Sequence, residues 1–287
     1  MKVLVIGAAG QLGTDVIKVI ARHGEEGVPA TRQTADITDE SSVAALITAQ
    51  RPDAVVNCAA YHDVAGCEEN PELATAINTV AVGSIARMCR ELGAKFMTVS
   101  TDYVFDGMKS EGYSEDDEAR PLNHYGRTKL AGERQTLEGN PRTFVVRTQS
   151  LFGVTGPRGK GLNFVDLMIK LSKERDELKV DQCRMAPTWT GCLAENMYAL
   201  LLTENFGLFH MSCDGATTWY EFARRILELT GSSVKVTAVP NDFFPRTFER
   251  PENTYLLNAR LRSLGLDRMP HWDLALKEYL KAKGHTV

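Results

Sequence analysis

Tyr125 and Lys129 stand at i and i+4 in the run Tyr125-Gly126-Arg127-Thr128-Lys129, which opens a stretch of helical pattern. That spacing puts both side chains on one helix face. A phenol ionises near pH ~10, too high for acid–base work at neutral pH. An ammonium one turn away stabilises the phenolate and is expected to move its pKa toward working pH. Such a pair can hand a proton to a carbonyl oxygen. On its own the spacing is a weak signal, because tyrosine and lysine four apart are often a surface pair. Upstream, an apolar segment ends in Ser100-Thr101-Asp102-Tyr103-Val104-Phe105. If that segment is a strand of an open α/β sheet, its carboxyl end faces the ligand crevice. Thr101 is then placed to hydrogen-bond the same carbonyl oxygen as Tyr125. The ordinary alternative makes Thr101 and Asp102 a turn.

A second constellation says what would work beside that proton. Gly7-Ala8-Ala9-Gly10-Gln11-Leu12-Gly13 follows the first apolar run and opens a helical one. Glycines there allow a tight turn and let a pyrophosphate approach a helix N-terminus, where free N–H groups and the dipole favour negative charge. The spacing is G-x-x-G-x-x-G, one residue longer than in ordinary dinucleotide folds. With a dinucleotide in that crevice, the positive nicotinamide joins the ammonium in stabilising the phenolate, Tyr125 supplies a proton to a carbonyl while the cofactor supplies hydride, and Lys129 also holds the nicotinamide ribose. An acidic residue at the end of the second strand would mark NAD; the chain has Thr31-Arg32-Gln33 instead. Arg32 can pair with a 2′-phosphate, which favours NADPH over NADH. Asp36 either serves the adenine side or caps a turn, and it keeps NADH open.

These groups need a scaffold, and the first half alternates strand and helix signals. Lys2–Ile6 reads as a strand buried on both faces. Helical spacing covers 11–22, a second strand falls at 28–32, and Asp39 looks like the N-cap of a helix over 40–50. Strands follow at 54–59, 96–100 and 144–147, separated by helices at 71–92 and 125–137. Small residues ending the third strand, Asn57-Cys58-Ala59-Ala60, suit close approach by a cofactor. The pattern implies a Rossmann-type, doubly wound parallel sheet. A dinucleotide-binding domain is expected over 1–150, completed by parts of 185–215. Residues 151–287 are expected to form mainly a smaller C-terminal α/β substrate-binding lobe. There, helices are read at 164–173, 193–202, 219–229, 259–264 and 272–281, and strands at 207–211 and 234–239. The aromatic- and proline-rich stretch 241–251 reads as a loop.

Composition narrows the field. The 287 residues are 43% hydrophobic and carry a formal charge of −4, as in a globular protein not built to grip nucleic acid or anionic lipid. No apolar run approaches the ~18 residues of a membrane span. The start, Met1 to Gly13, is not the pattern of a signal peptide. Six cysteines form no C-x-x-C pair. Cys58, His62 and Cys67 are the only local cluster that hints at metal, and a fourth ligand is missing, so no metal is expected. The expectation is a cytoplasmic enzyme with reduced thiols. His62, in the loop after the third strand, is read as an extra acid, a substrate contact or a plain loop side chain.

Together these motifs resemble the extended short-chain dehydrogenase/reductase superfamily and, within it, the dTDP-4-dehydrorhamnose reductase family. The matching stretches are GAAGQLG at 7–13, DIT at 36–38, RPDAVVNCAAY at 51–61, STDYVFDG at 100–107, PLNHYGRTKLAGE at 121–133, VVRT at 145–148 and Arg250-Pro251. The resemblance implies NAD(P)H-dependent reduction of a nucleotide-linked 4-keto-6-deoxysugar, with a homodimer left open. It places Thr101, Tyr125 and Lys129 on catalytic positions. It places Gly7, Gly10, Gln11, Leu12 and Gly13 on the phosphate loop, Asp36 and Ile37 near adenine, and Ala59, Ala60 and Tyr61 near the nicotinamide half. Thr101, Asp102, Tyr103, Asn163 and Arg250 are the candidates for holding the nucleotide-sugar.

Three departures lie beside the sugar. Where the family reads RTSW, with the Trp lining the sugar pocket, the chain has Arg147-Thr148-Gln149-Ser150. An acidic residue is lost at Ala65, and Met185 precedes Ala186-Pro187-Thr188 where a glycine is common. Two other readings stand beside the reductase: an epimerase or dehydratase of the same superfamily, and a non-catalytic regulatory subunit like the β subunit of methionine adenosyltransferase.

Overall fold

The computed structural model describes residues 1–156 and 161–286. Its first half runs β1 (Lys2–Ile6), α1 (Gln11–Arg22), β2 (Glu26–Ala30), α2 (Glu40–Gln50), β3 (Ala54–Asn57), α3 (Val64–Glu69), α4 (Pro71–Thr75), a π-helical segment (Ala76–Ala81), α5 (Val82–Leu92), β4 (Lys95–Thr101), α6 (His124–Gly139) and β5 (Thr143–Thr148). The second half adds β6 (Leu151–Phe152), α7 (Phe164–Leu171), β7 (Glu177–Asp181), β8 (Arg184–Met185), β9 (Thr188–Trp189), α8 (Thr190–Leu201) and β10 (Gly207–His210). It ends with β11 (Thr217–Thr218), α9 (Trp219–Leu229), β12 (Lys235–Val239), α10 (Ala259–Ser263) and α11 (Trp272–Ala282).

Six strands pair in the order β10-β5-β4-β3-β1-β2, every pair parallel. Alternation along β1 shows why the sheet is covered twice. Val3 and Val5 pack with Leu12, Val16 and Ile20 of α1 and Leu193 and Met197 of α8. Leu4 and Ile6 face the other way, onto Val43 and Ile47 of α2 and Ile85 of α5. Successive side chains of a strand point to opposite faces, so a continuous apolar run serves both layers. The chain winds outward from β1 to β2, then returns to the far side at β3. That reversal opens a crevice at the carboxyl ends of β1 and β3.

A smaller C-terminal α/β lobe has its own core, where Phe152, Met168, Leu178, Phe222, Ile226 and Tyr279 meet. There β7 and β12 form a parallel pair. Thr218 and Glu221 close a capping box at the start of α9. Among the described residues no helix is long and apolar enough to cross a membrane.

Several elements differ from their expected bounds or form: β3 ends at Asn57, α8 begins at Thr190, and the strand β7 carries no expected counterpart. The second strand is Glu26–Ala30, two residues earlier than the pattern placed it. It is an edge strand paired only with β1, so Glu26 and Pro29 are tolerated where a central strand would exclude them. The expected helix over 71–92 is helical throughout, but a π turn at Ala76–Ala81 interrupts it. The short helix α3 carries no apolar period long enough to read.

Candidate active site

A cleft of about 760 Å³ runs along the carboxyl edge of the sheet and into the second lobe. At one end lies the glycine loop. Gly7 takes φ +77°, and a Cβ there would meet Ala59 N at 2.7 Å, so the loop lies directly against the chain leaving β3. A Cβ on Gly13 would meet Gly7 O at 2.3 Å, which seats α1 on the loop. Gly10 caps α1 without any side-chain hydrogen bond, and no acidic residue enters the first turn. Bare backbone at an uncapped helix N-terminus is the donor set that a pyrophosphate requires. Gln11, Leu12, Arg32, Asp36, Ile37, Ala59, Ala60 and Tyr61 line the same cleft, as does the exposed His62. The cradle therefore fits a dinucleotide.

Arg32 and Asp36 hold one another: Arg32 Nε donates to Asp36 Oδ2 at 3.1 Å. Thr38 donates to Asp36 Oδ1 from its N–H at 3.0 Å and its hydroxyl at 2.7 Å, and those bonds keep the carboxyl below its ordinary pKa. The group that could read a 2′-phosphate and the group that could read a ribose thus share one corner.

Midway along the cleft, α6 presents Tyr125 and Lys129 toward the end of β4. Asn123 caps the helix, accepting from Gly126 N at 2.9 Å. Two glycines let the helix come close. A Cβ on Gly126 would meet Tyr103 O at 2.1 Å, and one on Gly132 would meet Asn78 O at 2.1 Å. Lys129 is 5% exposed, and its Nζ donates to Val99 O at 2.7 Å. Burial lowers the ammonium's pKa to about 8, with Glu133 pulling it back up.

Tyr125 keeps part of its surface toward the cleft and meets Tyr103 edge to face at 5.8 Å. Among the protein's own groups, burial pushes the Tyr125 phenol above its ordinary pKa, and Asp102 adds to that.

Thr101 lies beside Tyr125 as expected, but its hydroxyl donates to Asp102 Oδ1 at 2.9 Å. Asp102 is 4% exposed. Beyond it, Arg250 bonds Asp181 at 2.9 Å and lies 5.7 Å over the Trp219 ring. Asn163 also lines the cleft, while its carboxamide caps α7 and bonds Gly153 O and Tyr279 Oη, each at 3.0 Å.

Two positioning features were not anticipated. Asn78, in the π turn and 1% exposed, accepts from Tyr61 N and donates to Tyr61 O, both at 2.9 Å, and reaches Thr128 on α6. It ties the cleft wall at Tyr61 to α6. Its signal was a polar residue between the inward positions Ala74 and Ala81. Behind Lys129, Glu133 takes a two-pronged bond from Arg147 at 2.9 and 2.7 Å, both side chains being buried. Among the described residues no group of three or more His, Cys, Asp or Glu is placed to hold a metal ion.

The family model described as the RmlD substrate binding domain matches residues 1–284. The chain belongs to the dTDP-4-dehydrorhamnose reductase family. A crystal structure of a family member from Clostridium acetobutylicum superposes with TM-score 0.94 at 39% identity, covering 99% of this chain and 100% of that one. Another, from Bacillus anthracis and in complex with NADP, gives TM-score 0.93 at 34% identity, covering 98% and 100%. The dTDP-4-keto-6-deoxy-D-glucose reductase of Streptomyces niveus is 37% identical over 278 residues, 96% of this chain and 95% of that protein. The family's Rossmann fold is an NAD(P)-binding one.

Proposed function

We propose that the chain is a cytoplasmic NADPH-dependent reductase of a nucleotide-linked 4-keto-6-deoxysugar, acting as a dTDP-4-dehydrorhamnose reductase. The observation that carries this reading is the convergence of Thr101, Tyr125 and Lys129 on one cleft with the glycine loop. Family likeness along the whole chain supports it. Gly7, Gly10, Gln11, Leu12 and Gly13 would hold the pyrophosphate, with Ala59, Ala60 and Tyr61 along the nicotinamide half. Arg32 would meet the 2′-phosphate. When bound, the nicotinamide supplies hydride to the carbonyl carbon.

The protein's own part is the proton. Tyr125, kept protonated by burial, donates it to the carbonyl oxygen as negative charge develops there. Lys129 stabilises the phenolate that remains, since an opposite charge nearby favours the ionised form. Asp102, Tyr103, Asn163 and Arg250 lie on the side of the cleft where the sugar and its diphosphate would run.

The test is to mix purified protein with NADPH and a dTDP-4-keto-6-deoxysugar and follow the absorbance of the reduced nicotinamide. Stoichiometric oxidation is expected, falling on the order of 10²- to 10⁴-fold in Tyr125→Phe. Sugar conversion without net NADPH consumption would assign the chain to the epimerases or dehydratases. No turnover, together with co-purification of a partner enzyme, would assign it a regulatory role.

A further inference from the structure

Lys129 has a competing partner one turn along its own helix. Glu133 follows it at i+4 on α6, the spacing at which opposite charges on a helix face pair. Both side chains are buried, Lys129 at 5% and Glu133 at 4% exposed, and an ion pair is stronger where water is excluded. In the structure the carboxylate turns elsewhere. Glu133 Oε1 accepts from Ser100 Oγ and from Arg147 Nε at 2.9 Å, and Oε2 accepts from Arg147 Nη2 at 2.7 Å. Three of its roughly four lone-pair sites are filled without the lysine. Lys129 Nζ donates to Val99 O at 2.7 Å, and the residue lines the cleft.

The sheet builds the arginine into place. Ser100, Arg147 and His210 are register partners on β4, β5 and β10, so their side chains leave one face of the sheet in a row. Behind Arg147, His210 Nε2 accepts from Nη1 at 3.4 Å while His210 Nδ1 donates to Tyr113 O at 3.1 Å. Those roles need a neutral imidazole, and burial brings its pKa down to about 3. The guanidinium carbon lies 5.1 Å over the Phe105 ring. A planar fork held in this way meets a carboxylate with two parallel bonds, which a lysine cannot do.

We propose that Arg147 is a positioning residue for Lys129: by occupying both oxygens of Glu133 it denies that carboxylate to the lysine and leaves the ammonium directed at the cofactor and Tyr125. The inference rests on the reductase reading above. Tyr125, Lys129 and Glu133 stand at successive turns of α6. The ammonium therefore lies between a phenol that needs it and a carboxylate that would take it. Without the arginine, Glu133 is a buried charge with no cation, which is strongly destabilising. Lys129 is the cation within reach, and its capture draws the ammonium along the helix, away from Tyr125.

Arg147→Met, and the double variant that adds Glu133→Gln, separate this role from simple packing. Wild type and variants are assayed with NADPH and the dTDP-4-keto-6-deoxysugar well below their melting temperatures, with rates taken per folded molecule. Arg147→Met is expected to lose kcat on the order of 10²-fold and to raise the KM for NADPH, while the KM for the sugar stays at the wild-type value. Adding Glu133→Gln removes the competitor and is expected to restore most of the lost kcat. A packing role alone lowers the melting temperature and leaves the rate of the folded enzyme intact. An Arg147→Met enzyme with wild-type kcat therefore overturns the proposal, as does a folded double variant no faster than the single one, and either result leaves the reductase reading standing. No turnover by wild type overturns both. Should Arg147→Met fail to fold, Arg147→Lys keeps the charge but holds one carboxylate oxygen at a time. Its kcat is expected to fall part of the way, and a wild-type kcat overturns the proposal.

Discussion

The Thr101 hydroxyl gives its single proton to Asp102 Oδ1 across 2.9 Å, and the two side chains are 5% and 4% exposed. A ketone that is to receive a hydrogen bond from Thr101 must therefore compete with a buried carboxylate. Burial raises the Asp102 pKa from 3.8 to about 6, with Thr254, Thr101 and Arg250 each pulling it back.

The sign of the consequence for stability follows from which state holds the proton more tightly. The folded pKa lies above the unfolded one, so this contribution is full below pH ~4 and is lost as pH rises through ~6. Its size is about 3 kcal/mol at most, at ~1.4 kcal/mol per pKa unit. Asp102→Asn is expected to flatten that part of the stability profile and to be relatively more stable at neutral pH than at pH ~4. Urea midpoints of both proteins at the two pH values check it. A variant with the wild-type pH slope would move the effect to another group.

Lys129 offers the opposite case, a residue whose proposed use is chemical and whose burial works against the fold. Its folded pKa is lowered from 10.5 to about 8 by burial. The associated stability is full above the unfolded value and is lost as pH falls through ~8, so at neutral pH the buried ammonium is a net strain on the fold. Lys129→Met removes that charge and forfeits the bond to Val99 O. The variant is expected to gain about 2 kcal/mol at pH 7 and to lose turnover at least on the order of 10²-fold. Thermal melts and steady-state rates at pH 7 and pH 10 check the pair. A variant less stable than wild type at pH 7 would refute the burial argument.

Much of this is legible in the sequence. Periodicity over 2–6, 11–22, 40–50 and 219–229 reports local geometry, and those bounds agree with the structure. The glycine loop and the Tyr125–Lys129 spacing were readable for the same reason, since each is a short-range arrangement. What escaped is set by partners far along the chain. The bond from Asn78 to Tyr61, the clasp of Arg147 on Glu133 and the diversion of the Thr101 proton depend on which side chains the fold brings within 3 Å or so. No periodicity encodes that. The edge strand β2 was misplaced because a strand with one neighbour need not be apolar.

Arg32 is the test of cofactor choice. Its side chain is 87% exposed and touches Asp36 through Nε alone, so removing it disturbs little of the fold. A guanidinium matches a phosphate's oxygens in a way no smaller side chain does. Arg32→Ala is therefore expected to raise the KM for NADPH about tenfold and to leave the KM for NADH near its wild-type value. Because the contact lies in solvent, it is also screened. The wild-type KM for NADPH should climb with added salt more steeply than that for NADH, and the variant should lose the difference. The two measurements are independent: one removes the charge and the other shields it. Equal effects of the substitution on both cofactors would mean that Arg32 does not read the 2′-phosphate.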